Sequence, residues 1–387
     1  MILIDTGDRI AAKAAQMARP EFIAAYPITP QTVIVEKTAE YTETRELDAE
    51  YMRVESEHSA MTAVIGAAVT GIRTFTATSS HGLALMHEML HWAALSRLPI
   101  VMVNVNRTLG PGWNIWADQT DALAQRDTGW IQLYCSSCQE IFDTILQAYR
   151  LAEMEDIQLP VMVNYDAFVL SHTSMPVEIP DQSDIDAFLP PYQPAWQIDP
   201  DDPVTYANML PQSHYGDMRK DMQLAHERVK KYLPRVCAEW QEQFGMYHGD
   251  ALETVCCDDA EYLLVAMGAL GAEAKVAIQQ LRDEGVKVGL ARVRMFRPFP
   301  NEALREVARG RSIIVVDRNV SIGSGGGVYV ELKSALYGHV NTPVYGFIAG
   351  LGGKDVTCTE ISAMVRKVME GVAVEIEWWG LDSEEVK

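Results

Sequence analysis

The chain has 387 residues, 48% hydrophobic and 22% charged, with 32 Lys and Arg against 53 Asp and Glu for a formal charge of −21. Its length exceeds one ordinary core and points to two domains, and its composition excludes long disorder. The acidity excludes nucleic acid as a partner, because no surplus of Lys and Arg stands ready to displace counterions from phosphates, and it disfavours attachment to anionic lipid. Such a charge serves solubility, or complements a basic partner subunit. No apolar run approaches the roughly 18–20 residues of a membrane-spanning helix. Met1–Asp8 lacks the basic and apolar pattern of a secretory leader, so a cytoplasmic location is expected.

Residues 1–170 read as alternating helix and strand. A helix over Arg9–Ala18 precedes a strand at Phe22–Tyr26, a proline-rich turn and a second helix from Gln31. Ser59–Thr70 is small and apolar, as suits a helix packed closely on a sheet. Thr74–Thr78 alternates and is β-branched, so it reads as a strand. Leu83–Leu95 is a further apolar helix, and Pro99–Val105 has the Val and Ile content of a strand buried on both faces. Trp130–Tyr134, Gln139–Glu153 and Leu159–Asn164 continue the pattern.

Residues 171–257 break the rhythm. Prolines recur from Pro176 to Pro211, and a polar helix over Asp217–Phe244 carries apolar residues at Met222, Leu224, Val229 and Leu233. This stretch reads as an irregular arm or linker. Residues 258–387 restart the alternation. Strands are expected at Tyr262–Met267, Val288–Val293, Ser312–Asp317 and Pro343–Phe347, with helices at Gly271–Asp283, Asn301–Ala308, Val328–Leu336 and Thr359–Met369. The fold class is therefore α/β, with two open, mainly parallel-sheet domains.

Several segments carry candidate chemistry. Tyr26-Pro27-Ile28-Thr29-Pro30 joins a strand to a helix; its prolines stiffen a loop at the carboxyl end of a strand, where open α/β sheets bind ligands. The same residues also fit a helix start capped by Thr29 with Pro30 in the first turn. In Val54–Ala60, Glu55 and Glu57 cannot share a helix face; one suits a first-turn acid and the other a buried acid aimed into a cleft. Arg107 follows a buried strand and precedes a Gly-Pro-Gly turn, a fitting place for a guanidinium that reads a carboxylate. Trp113 and Trp116 then place two indoles in a polar loop, as at a cofactor pocket or interface. Gly323–Gly327 opens a helix after a strand and offers a phosphate cradle or a tight turn.

Two other patterns carry less. Cys135 and Cys138 form a single C-x2-C, which reads as buried thiols, and no run has the four cysteines of an iron–sulfur site. His87-Glu88-Met89-Leu90-His91 has zinc-protease spacing, but its apolar neighbours describe a core helix without a third ligand.

Taken in order, Tyr26–Pro30, Glu55–Glu57, Thr78–Leu83, Arg107, Asn114–Trp116 with Asp118 and Asp121, Arg126–Trp130, Arg294–Pro300 and Gly350–Asp355 resemble the alpha subunit of the 2-oxoacid:ferredoxin oxidoreductase family, of the pyruvate:ferredoxin oxidoreductase (pyruvate synthase) type. His81 stands where that family usually has Gln. The resemblance implies a pyrimidine-binding fold of thiamine diphosphate enzymes, followed by a transketolase C-terminal-like domain. It implies oxidative decarboxylation of a 2-oxo acid, pyruvate first, to acyl-CoA and CO2. Aryl or branched-chain acids, or a non-redox thiamine-dependent half-enzyme, are the alternatives.

The resemblance also assigns roles to residues and partners. Glu57 hydrogen-bonds a ring nitrogen of the aminopyrimidine and is catalytic. Thr29 and Arg107 hold the substrate carboxylate, while Tyr26, Pro27, Ile28, Ser80 and His81 join Glu57 around the cofactor. No metal ligand is assigned to this chain. Mg2+ and the diphosphate belong to a beta subunit. The 4Fe–4S clusters lie on gamma and delta-type or ferredoxin-like subunits, with ferredoxin as acceptor and coenzyme A as co-substrate. The chain is then active only in complex.

Overall fold

A computed structural model describes residues 1–381. The chain opens with β1 (Ile2–Thr6), α1 (Gly7–Ala18), β2 (Phe22–Ala25), α2 (Thr32–Glu43), β3 (Glu50–Arg53) and α3 (Glu57–Ala68). It continues with β4 (Thr74–Thr78), α4 (Ser80–Leu85), α5 (His87–Leu95), β5 (Val101–Asn106), α6 (Thr120–Leu123), β6 (Ile131–Tyr134), α7 (Cys138–Ala152) and β7 (Val161–Asp166). Then come β8 (Ser174–Glu178), α8 (Gln182–Phe188), α9 (Gln212–Phe244) and β9 (Leu252–Val255). The last part holds β10 (Tyr262–Met267), α10 (Leu270–Asp283), β11 (Val288–Val293), β12 (Met295–Arg297), α11 (Asn301–Ala308), β13 (Ser312–Asp317), α12 (Gly327–Leu336), β14 (Val344–Ile348), α13 (Cys358–Met369) and β15 (Ile376–Trp378).

Two sheets organise these elements. The first runs β12-β6-β7-β5-β4-β2-β3 and is parallel except for β12; the second runs β15-β14-β13-β10-β11-β9 and is parallel except for β9. β4, β5, β6 and β7 are buried at every position, and the polar residues among them, such as Asn106, Gln132 and Asn164, are buried with the apolar ones. Helix starts follow local chemistry. Ser137 accepts from the Glu140 N–H to cap α7, and Thr357 forms a capping box with Glu360 to start α13.

The α/β class and most central strands match the sequence expectation, and departures cluster where pairing is long-range. β1 and β8 form a separate antiparallel ribbon, and β8, α8 and β9 give the 171–257 segment more regular structure than its proline content suggests. The Leu83–Leu95 helix divides at Met86, and the polar helix begins earlier, at Gln212. β12 belongs by sequence to the second unit, yet it completes the first sheet beside β6.

That strand exchange is backed by a buried ionic clamp. Arg292 Nη2 and Arg294 Nε both donate to Glu140 Oε1 on α7, at 2.9 and 3.0 Å, and Arg292 Nε donates to Glu253 at 2.6 Å. Arg294 also donates to Thr144 and Gln147. All three central groups are at most 1% exposed, so their charges are tolerable only together. Burial by itself raises the Glu140 carboxyl, but Arg292 and Arg294 outweigh it and hold the group at about 2. Because this value lies below that of the unfolded chain, the clamp's contribution is complete above roughly pH 4.5 and is lost as pH falls towards 2. Glu140→Ala strands Arg294 and leaves Arg292 with Glu253 alone, and is expected to cost about 3–5 kcal/mol in denaturant unfolding. An unchanged midpoint would remove the clamp from the list of stabilising contacts.

Candidate active site

The candidate residues gather at the carboxyl ends of β2, β4 and β5, which lie side by side in the first sheet. The carboxylate of Asp121, at the start of α6, ties these ends together. Its Oδ2 accepts from the backbone N–H of Ser80 at 3.0 Å and of Arg107 at 3.1 Å; its Oδ1 accepts from Asn106 Nδ2 at 2.8 Å and the Ala122 N–H at 2.7 Å. Asp121 is 1% exposed; burial pushes its carboxyl up to about 7, against the four donors that lower it. One side chain thus fixes the turn after β4 and the turn after β5.

The Tyr26–Pro30 loop is held by a residue that sequence reasoning passed over. Gln31 Oε1 accepts from the Ile28 N–H at 3.3 Å, and its Nε2 donates to the carbonyls of Ala77 at 2.5 Å and Tyr26 at 3.4 Å. α2 begins at Thr32 with Gln31 at its cap position, so the reading of Thr29 as helix cap is corrected: Thr29 lies in the loop before the helix. The only sequence signal was a Gln directly after a rigid loop. Tyr26, Pro27 and Thr29 are exposed, and Ile28 is half-buried.

Glu57 occupies the first turn of α3, where Ser56 caps the helix by accepting from the Ser59 N–H. The two acids of this motif differ in exposure, but the sheltered one is itself the first-turn acid, whereas Glu55 precedes the Ser56 cap. Glu55 is exposed and accepts from Ser59 Oγ at 2.6 Å, whereas Glu57 is 7% exposed. None of the described residues donates a hydrogen bond to the Glu57 carboxylate. It lies against Gly82, where an added Cβ would meet Glu57 Oε1 at 2.5 Å and Thr78 Oγ1 at 2.6 Å; Thr78 Oγ1 is itself buried without a partner. A sheltered carboxylate with an unpaired hydroxyl beside it fits a polar heterocycle edge better than it fits a closed core.

Arg107 lies 4% exposed at the end of β5. Its Nη1 donates to the Thr29 carbonyl at 2.5 Å, its guanidinium stacks over the Trp113 ring at 4.8 Å, and its Nε is buried without a partner. Burial lowers Arg107 from its usual value, opposed by Asp121 and Glu57. The structure therefore brings Thr29, Glu57, Arg107 and His81 into one cluster. Ser80 belongs to it differently: its N–H serves Asp121 and its hydroxyl donates to the Thr108 carbonyl.

Elsewhere the structure corrects one motif and explains others. The place a phosphate would take at Gly323–Gly327 is filled by the chain's own Asp317, which accepts from the N–H groups of Val328 and Tyr329, both at 3.0 Å. An anion at a helix start was the right chemistry; the anion is internal. Gly350–Gly353 lies against the first domain, where Asn114 Nδ2 donates to the Gly352 carbonyl at 3.1 Å and a Cβ on Gly353 would clash with Trp116. Cys135 and Cys138 are free buried thiols, and burial pushes Cys138 up to about 11. His87 and His91 meet edge to face at 5.0 Å, with His87 Nδ1 on Gln125 Oε1 at 2.5 Å.

Asp121→Asn tests the central tie. Oδ1 faces two donors and Oδ2 three, the third being Asn104 Nδ2 at 3.4 Å, so either amide orientation turns an N–H₂ towards N–H groups. We expect a loss of about 2–3 kcal/mol in unfolding free energy and lower activity in the intact enzyme. A variant as stable as the parent would show that the donors are not held by charge.

Residues 13–237 match the family described as pyruvate flavodoxin/ferredoxin oxidoreductase, thiamine diphosphate-binding, and residues 260–361 match pyruvate:ferredoxin oxidoreductase core domain II. Pyruvate synthase subunit PorA of Methanothermobacter thermautotrophicus is 45% identical over 385 residues, 99% of each chain. Ketoisovalerate oxidoreductase subunit VorA of Pyrococcus horikoshii is 47% identical over 384 residues, 97% of each chain. Among solved structures, the fold is similar to 2-oxoglutarate:ferredoxin oxidoreductase from Magnetococcus marinus, with a TM-score of 0.72 at 19% identity, over 95% of this chain and 65% of that one. With one family matched across more than half of its length and relatives this similar from end to end, the chain belongs to the 2-oxoacid:ferredoxin oxidoreductases as an alpha subunit.

Proposed function

We propose that this subunit supplies the aminopyrimidine side of a thiamine diphosphate site and the carboxylate clamp for a short 2-oxo acid, pyruvate first. The observation that carries the reading is Glu57: a 7% exposed carboxylate without a donor among the described residues, close enough to Arg107 to oppose the lowering that burial imposes on it. Such a group has its oxygens free for a ring nitrogen, since none of the described residues donates to it. Thiamine diphosphate, when bound, supplies the nucleophile for the keto carbon and the sink for the electrons released with CO2. Arg107 offers its remaining N–H groups, and Thr29 its hydroxyl, to the substrate carboxylate. Tyr26, Pro27, Ile28, Ser80 and His81 form the surrounding wall.

The rim of this cluster is open: Trp113 and Trp116 are 52% and 46% exposed. That openness supports a site completed by another polypeptide. In this reading a beta subunit brings Mg2+ and the diphosphate contacts. Gamma and delta-type or ferredoxin-like subunits carry 4Fe–4S clusters, ferredoxin takes the electrons, coenzyme A takes the acyl group, and the assembly works in the cytoplasm. A branched-chain 2-oxo acid is the second reading for the substrate, favoured by the 47% identity to a ketoisovalerate oxidoreductase subunit.

In the purified complex, Glu57→Gln is expected to lower 2-oxo-acid-dependent viologen reduction about a hundredfold or more while the subunits stay associated. Retained activity would remove the proposed role. A panel of pyruvate, 3-methyl-2-oxobutanoate and phenylpyruvate, read by kcat/KM, separates the substrate readings; a preference for the branched acid would replace pyruvate.

A further inference from the structure

We infer that His81 is a positioning residue that fastens the Gly110–Trp113 loop across Arg107 and so sets how tightly the 2-oxo acid carboxylate is held; this rests on the carboxylate role proposed for Arg107. The ring bridges the two turns beyond β4 and β5. Its Nε2 accepts from the Gly110 N–H at 2.8 Å, while its Nδ1 lies 3.3 Å from both Ser80 Oγ and Arg107 Nη2. Trp113 meets the His81 ring edge to face at 6.1 Å and lies under the Arg107 guanidinium at 4.8 Å. Gly110 has no room for a side chain, since an added Cβ would come within 2.7 Å of Trp113 Cδ1 and 3.1 Å of His81 Nε2.

The hydrogen-bond network selects one tautomer. Ser80 Oγ already donates its hydrogen to the Thr108 carbonyl, so it can only accept from the ring. Nδ1 therefore carries the proton and Nε2 keeps the lone pair that the Gly110 N–H needs. The opposite tautomer would set Nε2–H against that N–H at 2.8 Å, a worse conflict than the 3.3 Å approach of Nδ1–H to Arg107. In the selected form Nδ1 takes no hydrogen from Arg107 Nη2, whose N–H groups stay available to a carboxylate. The other charged groups facing this point are Asp121, which holds the N–H groups of Ser80 and Arg107, and Glu57, which acts on Arg107.

Glutamine can reproduce the device, with its carbonyl oxygen towards Gly110 and its amide towards Ser80; leucine cannot. In the purified complex, His81→Leu is expected to raise KM for the best 2-oxo acid about tenfold with kcat changed much less, the effect of one lost hydrogen bond. His81→Gln, which can keep both hydrogen bonds, should recover most of the KM that His81→Leu loses. An unchanged KM in His81→Leu overturns the inference, as does a His81→Gln variant impaired as deeply as His81→Leu. Arg107→Lys separates the two proposals. If it leaves KM unchanged while His81→Leu raises it, the clamp reading of Arg107 fails and the loop-fastening role of His81 stands.

Discussion

Five hydrogen bonds to a carboxylate with almost no water around it hold the whole catalytic edge in register. Asp121 joins the turn after β4, the turn after β5 and the first turn of α6, so Ser80, His81 and Arg107 are placed relative to one another by a single side chain. Burial opposes the charge and the donors favour it, which leaves the group near neutrality. A carboxylate so balanced is useful because of its directionality: its oxygens together fix five N–H groups, and no apolar residue could orient a backbone amide in that way.

The second domain contributes to this edge from a distance. β12 extends the first sheet, Arg292 and Arg294 reach across to Glu140, and the glycines at 350–353 receive the loop that carries Asn114 and Trp116. The indole-bearing loop is therefore shaped by contacts on both of its sides. His81 and Arg107 hold its Trp113 end, and the second domain holds its Trp116 end. A buried ion triad is an expensive way to join two sheets compared with apolar packing, but its geometry is specific. Here that specificity fixes the strand exchange, and with it the position of the site loops.

The internal placement of Asp317 against the glycine-rich start of α12 follows the same electrostatic rule as a phosphate site, with the chain supplying its own anion. Local sequence describes the receptor well and says nothing of its occupant, because the occupant's position depends on where β13 ends in the folded sheet. Gln31 is a comparable case. Its amide spans from its own loop to the Ala77 carbonyl on a neighbouring strand, a contact set by the order of strands in the sheet.

By itself the sequence determined the α/β class and the buried parallel strands, and the family resemblance carried by its motif order grouped Thr29, Glu57 and Arg107 as candidates. These are properties of apolar runs, helix caps and motif order, all of which act over a few residues or one strand length. It separated Glu55 from Glu57 in principle, since neighbours two apart cannot face the same way, but which acid is sheltered was settled by the packing of Gly82 against α3. Only the tertiary structure decided that Asp121 ties the turns, that β12 crosses to the other sheet and that His81 faces Gly110. Each depends on free energy gained between residues remote in the chain, where burial and an unpaired donor, rather than local propensity, choose the partner.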